Sequence, residues 1–220
     1  MTMKNRLQRW FRRSPAFLDS LSAYEQWAAN YPPHAHNPLM ELEQAAMVAL
    51  LPALHQRIVL DLACGTGRYG LIAQQKGAMR VIGIDNSPHM LAAARLKNRT
   101  LATMAALPLA SFCVDVVLCG MALGHLPDIR PTFNEIARVL KPGGVVLVSD
   151  LHPFMALSGA QRTFSTPEGE TFAVEHYVHL VSDYYDVARS VGLDMTAIAE
   201  PLMPEKKMPV VLVMQFQKQR

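Results

Sequence analysis

The clearest pattern in the chain is a short apolar run, Ile58-Val-Leu-Asp-Leu62, closed by the glycine-bearing turn Ala63-Cys-Gly-Thr-Gly67. Runs of this length, rich in β-branched residues and bounded by turn residues, read as strands buried on both faces. From about Arg57 onward such runs alternate with helix-like segments, which is the signature of a parallel α/β sheet. A helix is expected from near Arg68 to Lys76, stopped by Gly77, and then a second strand over Arg80-Val-Ile-Gly-Ile84 that ends at Asp85. Ser87-Pro88 has the form of an N-cap and first helical residue, for a helix through residues 89–97. A weak third strand is expected near residues 101–104, and Cys113-Val-Asp-Val-Val-Leu-Cys119 is the fourth. A helix near residues 132–140 ends at Lys141-Pro-Gly-Gly144, and Val145-Val-Leu-Val-Ser149 is the fifth strand.

Beyond that point the rhythm breaks. Residues 151–179 carry no clear βα unit, and Thr166-Pro-Glu-Gly169 has the composition of a turn between two short strands. A helix over residues 180–191, a strand near 195–199 and a last strand, Val210-Val-Leu-Val-Met-Gln-Phe216, complete the chain. The layout is an N-terminal helical arm (1–56) and an α/β core (57–220) that holds a cap insertion at about 151–179.

Composition narrows the function. Half of the 220 residues are hydrophobic and 18% are charged, enough apolar material for a sizeable core and too much for disorder. A net charge of +3 is too small for a chain whose main work is holding a nucleic-acid backbone. Three cysteines, Cys64, Cys113 and Cys119, cannot pair completely and sit in apolar runs, so a reducing, cytoplasmic setting is expected. No apolar stretch approaches the roughly 20 residues of a membrane-spanning helix. Five basic residues in the first 13 are followed by no apolar block, which argues against a secretory leader. Leu7, Trp10 and Phe11 can share a helix face there, as a solvated helix docked on the domain or as a weak contact to an anionic surface.

Gly65-Thr-Gly67-Arg-Tyr-Gly70 fits the G-x-G-x-x-G pattern between a strand and a helix, and Asp85 stands at the end of the next strand. Such a turn lets backbone approach a ligand, and the acid can accept from ribose hydroxyls. A nicotinamide cofactor and S-adenosylmethionine both satisfy that much. Asp61 separates them, because an acid beneath the glycine loop repels a pyrophosphate but holds a cationic amino-acid tail. The chain is also too short for a separate substrate domain, so S-adenosylmethionine is the expected cofactor.

Val59-Leu-Asp-Leu-Ala-Cys-Gly-Thr-Gly67, Val81-Ile-Gly-Ile-Asp85, residues 112–118, His125-Leu-Pro-Asp128 and Glu135-Ile-Ala-Arg-Val-Leu-Lys-Pro-Gly-Gly144 occur in that order. Together they resemble class I S-adenosylmethionine-dependent methyltransferases, in the small-molecule branch (methyltransferase type 11) that includes quinone-biosynthesis-type enzymes. The resemblance implies a Rossmann-like, seven-stranded, mostly parallel sheet with an antiparallel last strand and helices on both faces. It implies that Asp61, Ala63, Gly65 and Gly67 surround the methionine part of the cofactor. Asp85 would accept from the ribose, with Asn86 and Met90 beside the adenine. Relatives usually carry an acid near position 103, where this chain has Thr103; Thr103 and Met104 are the expected adenine contacts. Cys119, Gly120 and Met121 fall near the sulfonium, and an arm bearing Tyr24, Trp27 and Tyr31 on one helix face folds over the cofactor in such relatives.

Methyl transfer from a sulfonium is an in-line displacement, helped by a base when the acceptor arrives protonated at oxygen or nitrogen. Six of the eight histidines, His34, His36, His125, His152, His176 and His179, fall on segments expected at the ligand-bearing edge. His125 is the leading candidate base because it follows the strand that ends at the reacting centre; His152 and then His36 come next. His34-x-His36 and His176-x-x-His179 lack a third ligand at suitable spacing, so no metal is expected. Phe154, Phe164, Phe172, Tyr177, Tyr184 and Tyr185 suggest a cap over a partly apolar pocket for a small, partly apolar or aromatic acceptor. No nucleic acid is expected, because Pro-Pro-aromatic and Pro-Cys motifs are missing from the chain's reactive segments. A non-catalytic cofactor-binding module and, on the glycine pattern alone, a nicotinamide oxidoreductase are the competing readings.

Overall fold

A computed structural model describes residues 16–165, 169–205 and 207–220. The basic segment 1–13 and most of the 166–169 turn lie outside the described residues. In chain order the elements are β1 (Ala16–Leu18), α1 (Ser20–Trp27), α2 (Pro38–Ala49), β2 (Ile58–Leu62), α3 (Arg68–Gln75), β3 (Arg80–Asp85), α4 (Pro88–Ala93), β4 (Arg99–Leu101) and β5 (Val114–Gly120). They continue with α5 (Arg130–Val139), β6 (Leu140–Leu151), α6 (Pro153–Leu157), β7 (Thr163–Ser165), β8 (Thr171–Val174), α7 (Val181–Ser190), β9 (Leu193–Ala199), β10 (Leu202–Met203), β11 (Met208–Pro209) and β12 (Val211–Lys218).

Seven strands form the main sheet in the order β4-β3-β2-β5-β6-β12-β9. The pairs from β4 through β6 are parallel, and β12 runs antiparallel to both of its neighbours. The fold is the expected one, with the expected antiparallel last strand. Both faces of the sheet are covered, which is why its strands read as unbroken apolar runs. Leu60, Val117, Val146 and Phe216 pack on one face with Phe133, Ile136 and Tyr184 from α5 and α7. Val59, Val116, Leu147 and Val213 pack on the other with Met47 of α2 and Tyr69 and Ala73 of α3.

Two boundaries depart from expectation. The helix that starts at Pro88, capped by the Ser87 hydroxyl, ends at Ala93 rather than running to residue 97. Leu96 leaves it to fill the hollow above Gly67, Gly70 and Gly83, where an added Cβ would lie 2.7–2.9 Å from its side chain. The Lys141-Pro-Gly-Gly144 stretch lies within a 12-residue strand instead of preceding one. The register between β5 and β6 shifts there, and Gly143 takes a positive φ of 75°. The weak third strand falls slightly earlier than expected, at β4.

A second, three-stranded sheet has the order β1-β8-β7. β1 from the arm pairs in parallel with β8 of the insertion, and β7 pairs antiparallel to β8 across the expected turn. Trp27 stacks on Phe164 at 5.1 Å and Phe164 on Phe172 at 5.5 Å, over buried Ala23 and Val174. The arm and the insertion, separated in sequence by β2 through β6, are one cap.

Candidate functional site

At the carboxyl ends of β2, β3 and β5, beneath this cap, lies a cleft of about 820 Å³ measured to its open mouth. Its floor is the turn after β2, held tightly curled by positive φ at Ala63 (54°), Gly65 (53°) and Gly67 (95°). Asp85, at the end of β3, fastens that turn: its Oδ2 accepts from the Gly65 N–H at 2.7 Å and its Oδ1 from the Ser87 N–H at 2.8 Å. Asp61 accepts from the Gly70 N–H at 2.7 Å. Glycine at position 70 leaves room for both neighbours, since a Cβ would sit 2.7 Å from Leu96 and 3.0 Å from the Asp61 carboxylate.

Burial pushes the carboxyls of both Asp61 and Asp85 above the usual range, Asp61 to about 8. The Gly70 N–H and the positive charge of Arg68 oppose the rise at Asp61, while Asp85 adds to it. The floor is therefore a pair of closely held acids poised to accept hydroxyl or cationic N–H donors.

Arg68 lines the same cleft, but its charge is neutralised within the protein. Its Nη1 donates to Glu43 Oε2 at 2.7 Å, with Glu43 completely buried. Tyr69 and Ser149 donate their hydroxyl protons to Glu43 Oε1, Tyr69 at 2.6 Å. This quartet ties α2, α3 and β6 together under the cleft. Gly120 is part of the arrangement, since a Cβ there would lie 2.3 Å from the Tyr69 ring.

At the carboxyl end of β5, Gly120 and Met121 lead into a short 3-10 turn that carries His125. His125 Nδ1 lies 2.8 Å from the Glu175 carbonyl and its Nε2 lies 3.1 Å from Tyr24 Oη. A carbonyl can only accept, so Nδ1 carries the hydrogen and Nε2 is the bare, accepting nitrogen. Burial, reinforced by the positive charge of Arg162, holds His125 well below the ordinary histidine value, and the ring is neutral. Tyr24 Oη in turn accepts from Arg162 Nη2 at 2.8 Å. The result is a directed chain, Arg162 N–H to Tyr24 O–H to His125 Nε2, supplied by the arm, the insertion and the β5 edge.

Of the residues expected from the sequence, Asp61, Ala63, Gly65, Asp85, Asn86, Met90, Met104, Tyr24, Tyr31 and His125 line this cleft together. Five others stand elsewhere. Gly67 packs against Leu96 and caps α3 in the left-handed conformation. Thr103 is exposed, its carbonyl accepting from Ala106 N–H. Cys119 is buried within β5. His152 caps α6, its Nδ1 accepting from Phe154 N–H at 3.2 Å while Nε2 donates to Glu200 at 2.9 Å, so both ring nitrogens are occupied away from the cleft. His36 is exposed, with Nδ1 3.3 Å from the His34 carbonyl and its ring edge-on to Trp27 and Tyr31.

The aromatic stripe also differs in detail. α1 ends at Trp27, and a 3-10 turn brings Tyr31 back so that its ring meets Trp27 at 4.8 Å. In the insertion, Phe164 and Phe172 build the cap, Tyr184 is core, and Phe154, Tyr177 and Tyr185 are exposed. Among the described residues no group of three or more His, Cys, Asp or Glu is arranged to hold a metal ion. No described helix is long and apolar enough to cross a membrane. Sequence reasoning missed Glu43, Arg68 and Arg162. Arg68 was visible as the charged residue inside the glycine pattern, whereas Glu43 and Arg162 carry no local signal.

Comparison with known proteins gives a consistent picture. Residues 60–148 match a family model described as a methyltransferase domain. The chain is 32% identical over 177 residues to a ubiquinone biosynthesis O-methyltransferase of Bordetella avium, covering 74% of this chain and 71% of that protein. It is 32% identical over 130 residues to a malonyl-[acyl-carrier protein] O-methyltransferase of Pectobacterium atrosepticum (53% and 51% covered). It is 37% identical over 111 residues to a demethylmenaquinone methyltransferase of Lactococcus lactis (45% and 44% covered). The chain thus spans about half the length of these last two relatives. In fold it is similar to an S-adenosylmethionine dependent methyltransferase from Mesorhizobium loti, with a TM-score of 0.69 at 22% identity over 80% of this chain and 98% of that one.

Proposed function

This chain belongs to the S-adenosylmethionine-dependent methyltransferase family, and on that premise we propose that it methylates an oxygen or nitrogen atom of a small organic acceptor. One observation carries the reading: the same cleft holds both the Gly65–Asp85 cradle and the Tyr24–His125 pair.

The residues present fit the cofactor. Asp85 accepts from the Gly65 and Ser87 N–H groups and still has lone-pair capacity for a ribose hydroxyl. Gly65 has no Cβ, and one added there would stand 3.0 Å from Met90 Cε, closing the space above the loop. Asn86, Met90 and Met104 would flank the adenine, and Asp61 would face the cationic amino group. When bound, the cofactor supplies a methyl group on a positively charged sulfur, open to in-line displacement by a nucleophile.

The protein's own part is orientation and proton removal. Tyr24 Oη accepts from Arg162 and donates to His125, so one lone pair is left for the acceptor's O–H or N–H. As that proton moves to Tyr24 Oη, the tyrosine's own proton moves to His125 Nε2, and the acceptor's electron pair is freed for attack. The neutral histidine, held by the Glu175 carbonyl, is in the protonation state this step requires. Tyr31 and the cap restrict water at the reacting end.

The names of the ubiquinone and demethylmenaquinone relatives support a small acceptor, as the weak net charge does. Three free cysteines support a reducing, cytoplasmic setting. Calorimetric titration with S-adenosylhomocysteine is the direct test, and no heat of binding at high micromolar concentration overturns the proposal. Transfer of labelled methyl to members of an acceptor panel separates an enzyme from a non-catalytic cofactor-binding module.

A further inference from the structure

One cation at the reacting end has no anionic partner. Arg162 lines the cleft, and its Nη2 donates to Tyr24 Oη at 2.8 Å and to the Met121 carbonyl at 2.9 Å. Its Nη1 is buried without any hydrogen-bond partner, and no carboxylate stands within ion-pair distance among the described residues. Arg68, the other arginine of the cleft, is fully paired with Glu43. Orphaned buried donors are costly, about 1–3 kcal/mol each and more when charged, so a fold retains one chiefly where something arrives to meet it.

We propose that Arg162 seats a carboxylate of the methyl acceptor, so that the substrate is a small hydroxy- or amino-carboxylic acid. This rests on the methyltransferase reading above and specifies its substrate class. The guanidinium presents N–H donors in a flat fork that matches a carboxylate. It also touches Tyr24 Oη, the atom offered to the acceptor's reacting O–H or N–H. An acceptor held at both points carries its acid within a few bonds of its nucleophile. A phosphate dianion fits less well, because the cleft's second arginine is already neutralised. The surroundings, Met121, Ala122, Leu126 and the Tyr24 ring, suit a short apolar link between the two polar groups. The cofactor's own carboxylate is the rival source of the anion, and the variants below distinguish the two.

The test compares wild-type, R162Q and R162K proteins saturated with S-adenosylhomocysteine, using acetate as a probe small enough to reach the guanidinium whatever the acceptor's shape. At tenfold its Kd a one-site ligand raises the Tm of a chain this size by roughly 3–5 °C. Acetate is expected to do so for the wild type, beyond acetamide or chloride at equal ionic strength, and not for R162Q. R162K keeps the charge without the fork, and its acetate affinity is expected to fall at least threefold; it serves if R162Q does not fold. Equal acetate responses in wild type and variants, or none in the wild type, overturn the proposal. So does a phosphate response that matches that of acetate. A tenfold loss of S-adenosylhomocysteine affinity in R162Q, with methylthioadenosine binding unchanged, assigns the guanidinium to the cofactor's carboxylate and also overturns it. The wild-type titration with S-adenosylhomocysteine alone reports on the underlying methyltransferase reading, so the two failures are separable.

Discussion

Replacing Asp61 with asparagine should stabilise the ligand-free protein while weakening its hold on the cofactor. Asp61 is 2% exposed, and burial lifts its carboxyl from 3.8 to about 8. Between those values the folded protein keeps a proton that the unfolded chain has lost, so stability falls as pH rises and the penalty is complete above about 8. Linkage arithmetic makes this penalty roughly 2–3 kcal/mol larger at about pH 8.5 than at about pH 6. Asparagine has nothing to ionise and can still accept the Gly70 N–H, whose bond to Asp61 is 2.7 Å long. The stability gain of D61N over wild type should therefore grow by roughly 2–3 kcal/mol between about pH 6 and about pH 8.5, measured by urea unfolding of the ligand-free proteins. Calorimetry on the same pair should show weaker S-adenosylhomocysteine binding by D61N at the higher pH, where the wild-type carboxylate can meet the ligand's ammonium. A stability difference that stays constant with pH would refute the reasoning about burial. Undiminished affinity would refute the assignment of Asp61 to the amino group.

Other expectations concern single contacts. D85A removes the ribose acceptor and also frees the Gly65 and Ser87 N–H groups, so S-adenosylhomocysteine affinity should fall at least about 100-fold by calorimetry; unchanged affinity contradicts the ribose assignment. H125A should lower kcat by roughly 10²–10⁴-fold and leave cofactor affinity within about threefold; a full-rate variant hands the base role elsewhere. Because burial holds His125 well below 6.5, the wild-type rate should stay level as pH falls through 6.5 and drop only in more acid solution, where Nε2 gains a proton. An inflection at the ordinary histidine value counts against the buried, neutral ring. E43Q keeps the shape of Glu43 but leaves Arg68 buried and unpaired, and should destabilise the fold by about 3 kcal/mol in urea titrations; a loss below about 1 kcal/mol would show that solvent reaches the guanidinium.

The main sheet was legible because burial on both faces forces its strands to be continuous apolar runs, and Asp61, Gly65 and Asp85 follow from strand ends that such runs locate. Local signals misled where a tertiary demand outweighed them. Gly143 and Gly144 look like a loop but form an irregularity inside β6. Leu96 belongs to a helical pattern, yet the three glycines beneath it draw it out of the helix. His152 and His125 both follow strands at the ligand edge, and only their neighbours distinguish them: Glu200 and Phe154 occupy one, Tyr24 and Glu175 orient the other. Glu43 reads as an ordinary acid on an amphipathic helix because its partners come from α3 and β6. Arg162 lies in a segment without rhythm, and its role depends on a strand that pairs with the arm.

The pairing of β1 with β8 sets the order in which this molecule can become competent. Ala16 meets Phe172, 156 positions away, whereas Val59 meets Val81 after only 22. During synthesis β2 and β3 can join while most of the chain is still unmade, but β1 must wait until β8 emerges. Tyr24, Arg162 and Glu175 all arrive with that late event, and Glu175 is what fixes the hydrogen of His125 on Nδ1. A molecule whose sheet has formed but whose first strand is undocked would hold its cofactor cradle intact and have no base aimed at the acceptor. Competence is thus a late checkpoint in maturation, passed only when β1 closes on a strand more than 150 positions further along the chain.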